Sequence, residues 1–154
     1  MAIQLRAALL LSLAVAACGG GSSSPSSPSA TFTGPVDVTG TWVEVRGSLN
    51  LFLTQNGSNV TGSATFSDRN DVFGSYRGDG PVTGTVSGTT MTLTEVYGIS
   101  GATSGRDTKN CTETVNSTWT VTSATSMNGP FTQVDVCDGA EVFRKSGTTT
   151  VEKR

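Results

Sequence analysis

The sequence predicts an all-β fold: an eight-stranded antiparallel up-and-down β-barrel behind an N-terminal signal peptide and a flexible tether. Three observations lead there. The chain holds 25 threonines and 19 glycines, few charges, and little leucine or alanine beyond its first 17 residues, a balance that favours pleated strands over helices. Alternating apolar and polar segments recur between short Gly/Ser/Asn turns. Three of those segments, Val60-Thr-Gly62-Ser-Ala64, Val82-Thr-Gly84-Thr-Val86 and Met127-Asn-Gly129-Pro-Phe131, place a glycine among apolar residues on one face, as a strongly curved sheet requires.

The elements follow in chain order. Arg6 precedes an apolar run from Ala7 to Ala17, which as a helix would span about 16 Å against about 30 Å of bilayer hydrocarbon. A basic start, an apolar middle and a small-residue exit instead match a cleaved secretory signal over residues 1–17. The exit, Val15-Ala16-Ala17-Cys18, resembles the bacterial lipobox. That resemblance implies an envelope lipoprotein: the Cys18 thiol carries lipid, palmitate included, and becomes the mature amino terminus, and Gly19 permits passage to the outer membrane. Residues 18–35 read as the lipid-anchored flexible linker. Positions 19–30 carry only Gly, Ser, Pro and Ala, too little apolar surface to offset the entropy of ordering.

The β-barrel domain is expected over residues 36–146 and a flexible tail over 147–154. Strands are expected near 40–46, 48–55, 59–67, 80–87, 90–97, 111–121, 127–137 and 140–145. Asn56-Gly57-Ser58-Asn59 and Ser87-Gly88-Thr89 are hairpin signals, whereas 68–79 and 98–109 are Gly/Ser/Asp-rich and read as longer loops. With Cys18 assigned to lipid, Cys111 and Cys137 remain as an even pair in an exported domain, and a disulfide is expected. A hairpin centred on Ala124 sets them directly opposite, with Trp119 against Gly129, Val121 against Met127 and Ser117 against Phe131. The same register faces Glu113 with Asp135, an unfavourable pairing of like charges unless the two sit at a wet rim or a bulge displaces them.

Gly40-Thr41-Trp42 opens the first expected strand, and Arg144 lies in the last. The combination resembles the lipocalin and wider calycin pattern, and Gly-x-Trp recurs in avidin-like barrels. The resemblance implies that Gly40, Trp42 and Arg144 serve structural barrel closure, with the guanidinium over the indole at the closed end. It also implies a small hydrophobic ligand inside the barrel.

Eight strands either fill with side chains or hold one small molecule. Two readings therefore stand: a lipid-anchored envelope barrel binding a small hydrophobic ligand, or a structural or protein-interaction module with a filled barrel. Leu49, Leu51, Leu53, Val60, Ala64, Phe66, Val82, Val86, Met91, Leu93, Val115, Val121, Met127 and Phe131 are the candidate inward residues, and the sequence singles out no ligand contact among them. The chain has no histidine, which removes Ser-His-Asp and Cys-His nucleophile systems and histidine-ligated metals, so neither enzyme activity nor a cofactor is expected. Asp68, Asp71 and Asp79 cluster near Asn70, but their spacing departs from the EF-hand loop and turn chemistry accounts for them, so no metal site is expected. A net charge of -2 without a basic cluster argues against nucleic acid as a partner; the membrane, through the anchor, is the expected one.

Overall fold

A computed structural model describes residues 36–154, so the expected signal peptide, Cys18 and the expected linker through residue 35 lie outside the described residues. Eight strands, β1 (Gly40–Glu44), β2 (Asn50–Asn56), β3 (Asn59–Asn70), β4 (Gly74–Ser87), β5 (Thr90–Ser100), β6 (Cys111–Ser123), β7 (Ser126–Cys137) and β8 (Ala140–Lys153), form one closed antiparallel barrel in sequence order. Each pairs with the next, and β8 returns to β1 through Trp42↔Lys153 and Glu44↔Val151. The all-β, up-and-down barrel is therefore the fold.

Local chemistry explains the strands and their ends. Gly57 and Gly88 adopt left-handed φ values of 59° and 58° in the two-residue turns that close Asn56↔Asn59 and Ser87↔Thr90. Along β5, Met91, Leu93, Glu95, Tyr97 and Ile99 are buried while Thr92, Thr94 and Val96 face outward. Outward threonines meet across strands, Thr83 opposite Thr94 and Thr92 opposite Thr118, giving the outer wall a polar surface where a membrane-spanning barrel carries an apolar band. At Gly129 a Cβ would overlap the Thr118 carbonyl oxygen on the next strand, so the glycine permits the close backbone approach that curvature imposes.

The two ends of the barrel differ. Around the β2–β3, β4–β5 and β6–β7 turns the interior is filled by an apolar cluster that includes Trp42, Leu51, Val60, Met91, Trp119, Met127 and Val151. Trp42 Nε1 donates to the Val38 carbonyl at 2.8 Å, and Lys153 Nζ stands 5.5 Å from the indole centroid. This corrects the expectation for Arg144. The β7–β8 register carries Arg144 to the other end, opposite Val134, where its guanidinium is exposed and binds Glu141 at 2.7 Å. The cation over Trp42 is Lys153.

The expected tail over 147–154 is also corrected: β8 continues to Lys153 because Val151 is fully buried opposite Met127 and closes the sheet on Glu44. The expected loop over 68–79 is largely strand. β3 and β4 pair from Asn59↔Thr85 to Asn70↔Gly74, and the turn is held by Asn70 Oδ1, which accepts from the Val72 and Phe73 amides at 3.0 and 2.9 Å. Across the same end, the segment between β5 and β6 packs onto this turn, with the Arg106 amide donating to the Val72 carbonyl at 2.9 Å. Cys111 and Cys137 are disulfide-bonded there, within an apolar cluster of Phe73, Tyr76 and Ile99.

Candidate functional site

β1 and β2 have 5 and 7 residues, against 11 to 14 in the other six strands, so one side of the wall stops short. Residues 45–49 partly cover the gap. The Ser67 amide on β3 donates to Ser48 Oγ at 2.8 Å, and Thr149 Oγ1 on β8 donates to Glu44 Oε1 at 2.6 Å. Lys145 on β8 reaches across to Asp68 on β3, with its Nζ 3.1 Å from the carboxylate. Beneath this bridge lies a cavity of about 220 Å³, open to solvent beside Arg46, Ser48, Asp68 and Lys145.

The cavity has aromatic walls and a polar floor. Phe66, Tyr97, Trp119 and Phe131 form walls, and Glu95, Glu113, Ser117 and Gln133 line the depth. Two of the walls are set by glycine: Phe66 lies over Gly78 and Phe131 over Gly147, their register partners on the neighbouring strands. Strand alternation brings Glu95, Glu113, Gln133 and Asp135 inward, and all four are buried.

Hydrogen bonds join these groups into two connected sets. Trp119 Nε1 donates to Ser117 Oγ at 2.8 Å, the Ser117 hydroxyl donates to Glu95 Oε1 at 3.3 Å, and the Tyr97 hydroxyl donates to Glu95 Oε2. Gln133 Nε2 shares its two hydrogens among Glu113 Oε2 at 2.9 Å, Asp135 Oδ1 at 3.0 Å and Tyr76 Oη at 3.0 Å, while Tyr76 donates to Glu113 at 3.3 Å. Asn70 Nδ2 closes the second set on Asp135 Oδ2 at 3.3 Å.

The electrostatics follow from burial. Among the described residues no lysine or arginine is buried, so the interior acids have no cation beside them. Desolvation, and then the Asp135 charge, pushes Glu113 up to about 8; Asp135 is raised by burial against the bonds from Gln133 and Glu113. Burial likewise raises Glu95, with the Tyr97 and Ser117 bonds opposing it. Burial first, and neighbouring carboxylates second, hold the Tyr76 and Tyr97 phenols well above their ordinary value, so both remain neutral donors.

The structure divides the expected residues clearly. Leu49, Phe66, Val115 and Phe131 line the cavity, whereas Leu51, Leu53, Val60, Val82, Met91, Val121 and Met127 belong to the filled half. Gly40 and Trp42 sit at that filled end with Lys153. Asp68 bridges the mouth, while Asp71 and Asp79 are exposed elsewhere, and the three are not brought together. Glu113 and Asp135 do face each other, but the register holds across them and both are buried, so neither a wet rim nor a bulge separates them. Sequence reasoning missed Tyr76, Glu95, Tyr97 and Gln133; their period-2 placement among buried neighbours was the available signal.

Fold and site together define a small closed β-barrel with a polar cavity under a short-walled side. Among solved structures, a low-affinity mutant of shwanavidin is similar to this chain, with a TM-score of 0.46 and 14% identity over 80% of this chain and 99% of its own. Apo shwanavidin is similar with a TM-score of 0.43 and 17% identity over 77% of this chain and 98% of its own. No protein-family model and no curated protein matches the chain.

Proposed function

We propose that this protein is a lipid-anchored component of the bacterial cell envelope, held at the outer membrane through Cys18, whose barrel binds a small ligand. The observation that carries the binding reading is the cavity of about 220 Å³ beneath the Lys145–Asp68 bridge, with aromatic walls around buried hydrogen-bonding groups. The anchor rests on Val15-Ala16-Ala17-Cys18 and the Ser/Pro-rich linker behind it, which would hold the barrel near the membrane and off its surface. A filled interaction module accounts for the Trp42 end but leaves the cavity without a role.

The ligand joins an apolar body to a polar head. A purely hydrophobic molecule would seal Glu95 and Glu113 away from water without giving them new partners, and desolvated polar groups are costly. The role is binding rather than catalysis.

Thermal melting with and without a small-molecule extract of the same envelope tests this reading. A ligand raises the melting temperature in proportion to RT ln(1 + [L]/Kd). The wild type is expected to gain stability, and Val115→Trp, which projects a larger side chain into the cavity, to gain none. No gain in the wild type, or equal gains in both, would contradict a ligand in the barrel.

A further inference from the structure

We propose that the cavity takes a compact organic cation, an amine or guanidine on a short apolar body, with its charged head on Glu95 and Glu113 and its body against the aromatic walls. The inference rests on the reading of the barrel as a small-ligand binder and names the chemical class of that ligand.

The first argument is a count of donors and acceptors. The Trp119 N–H is used on Ser117, the Ser117 and Tyr97 hydroxyls on Glu95, and the Tyr76 hydroxyl on Glu113. The two hydrogens of the Gln133 amide nitrogen are shared among Tyr76, Glu113 and Asp135. Donors on the floor are therefore spent within the protein. The proton on Glu113 is turned to Asp135 and so is also spent within the protein; Glu95 and, once that proton leaves, Glu113 each receive two bonds where an ionised carboxylate accepts about four. A ligand carbonyl or carboxylate meets no spare donor there, while ligand N–H groups meet spare acceptors.

Charge and shape point the same way. Every buried ionisable acid or base of the described interior is an acid or a phenol, and the cations at the cavity, Arg46 and Lys145, stand at its mouth. A bound cation supplies the positive charge that the fold omits. Trp119, Tyr97, Phe66 and Phe131 line the same space, and aromatic rings attract cations and cover an apolar body.

Seating the cation also moves a proton. Glu113 faces Asp135 and Gln133 from β7, Tyr76 from β4, Tyr97 from β5 and, more distantly, Asp68 from β3, and Glu95 of β5 lines the same cavity. Burial and Asp135 keep Glu113 protonated up to about 8, so at neutral pH an arriving ammonium displaces that proton to solvent as the carboxylate pairs with it. Binding weakens as the pH falls, because more of the acid must be deprotonated.

The test uses the full-length protein in detergent with three probes of one shape: benzylamine, benzyl alcohol and benzoate. Calorimetry in buffers of different ionisation enthalpy gives affinity and protons released, and tryptophan fluorescence follows Trp119. Benzylamine is expected to bind about tenfold or more tightly than benzyl alcohol, with proton release, and benzoate weakest. Glu113→Gln is expected to lose about tenfold of the benzylamine affinity together with the proton released from that residue; if this variant does not fold, Glu95→Gln is expected to lose benzylamine affinity by a similar factor. Binding of benzyl alcohol or benzoate as tight as that of benzylamine overturns the cationic class and leaves a small-ligand barrel in place. No benzylamine binding at millimolar concentration also overturns the class, whereas the barrel's role as a binder stands or falls on the envelope extract.

Discussion

Glu113 on β6 and Asp135 on β7 stand directly opposite each other inside the barrel, and a single amide nitrogen, Nε2 of Gln133, donates to both at 2.9 and 3.0 Å. Two like-charged side chains in this position oppose folding unless a proton remains between them. The hairpin keeps its register across the pair because its apolar partners, its glycine and its disulfide all require it, and the pair adapts by protonation.

That proton makes stability depend on pH. Glu113 moves from 4.5 to about 8 on folding, so between those values the folded state binds a proton that the unfolded chain has released. Stability is therefore full below the unfolded value and falls as the pH rises towards about 8. Melting temperature against pH is expected to decline over that window. Glu113→Gln, which needs no proton, is expected to flatten the decline and to raise the melting temperature at pH 8 by about 4 °C or more, the effect of roughly 1 kcal/mol in a small domain. A wild-type curve that rises with pH would contradict the buried pair.

The disulfide closes a loop with a sequence separation of 26, joining the ends of β6 and β7. Chain-entropy arguments give a cross-link of this span about 3 to 4 kcal/mol. Reduction, or Cys111→Ala with Cys137→Ala, is expected to lower the denaturation free energy by about that amount, measured by urea titration. A loss below about 1 kcal/mol would mean that the paired strands alone hold this end.

Closure at the filled end rests on Lys153 over Trp42, with Lys153 Nζ also donating to the Asp37 carbonyl at 3.3 Å. Lys153→Ala is expected to cost about 1 kcal/mol through lost cation–π contact and lost cover by the aliphatic stem. Arg144→Ala removes only an exposed pair with Glu141 and is expected to change stability by less than about 0.5 kcal/mol. Paired denaturation curves decide; a larger effect at Arg144 would restore that residue to the closure.

Much of the fold is legible in the sequence because its constraints agree. The hairpin centred on Ala124 is fixed at once by Cys111 against Cys137 and Val121 against Met127. Turn glycines mark the short connections at Gly57 and Gly88. The cavity is less legible because its residues break the hydrophobic pattern. Glu95, Gln133 and Asp135 are polar, yet alternation turns them inward, where mutual hydrogen bonds offset burial. Glycine and serine between 68 and 79 suggest a loop, although Tyr76, Gly78 and Val82 keep the period of a strand paired with β3. At the end of the chain the threonine run resembles a tail, and a single buried valine, Val151, makes it the closing strand.

Membrane attachment is predicted to depend on one atom. Cys18→Ser removes the thiol that would carry lipid, so in cell fractionation the variant is expected to leave the membrane pellet. A variant that still pellets with membranes would contradict the anchor.

The most direct measurement is native mass spectrometry of the full-length protein, extracted gently in detergent from the cells that make it, beside Val115→Trp prepared in the same way. The wild type is expected to carry a small molecule that the cavity-filled variant lacks, on top of the lipid proposed for Cys18. A wild type with no small molecule bound, or an equal adduct on both proteins, would contradict a ligand-binding barrel.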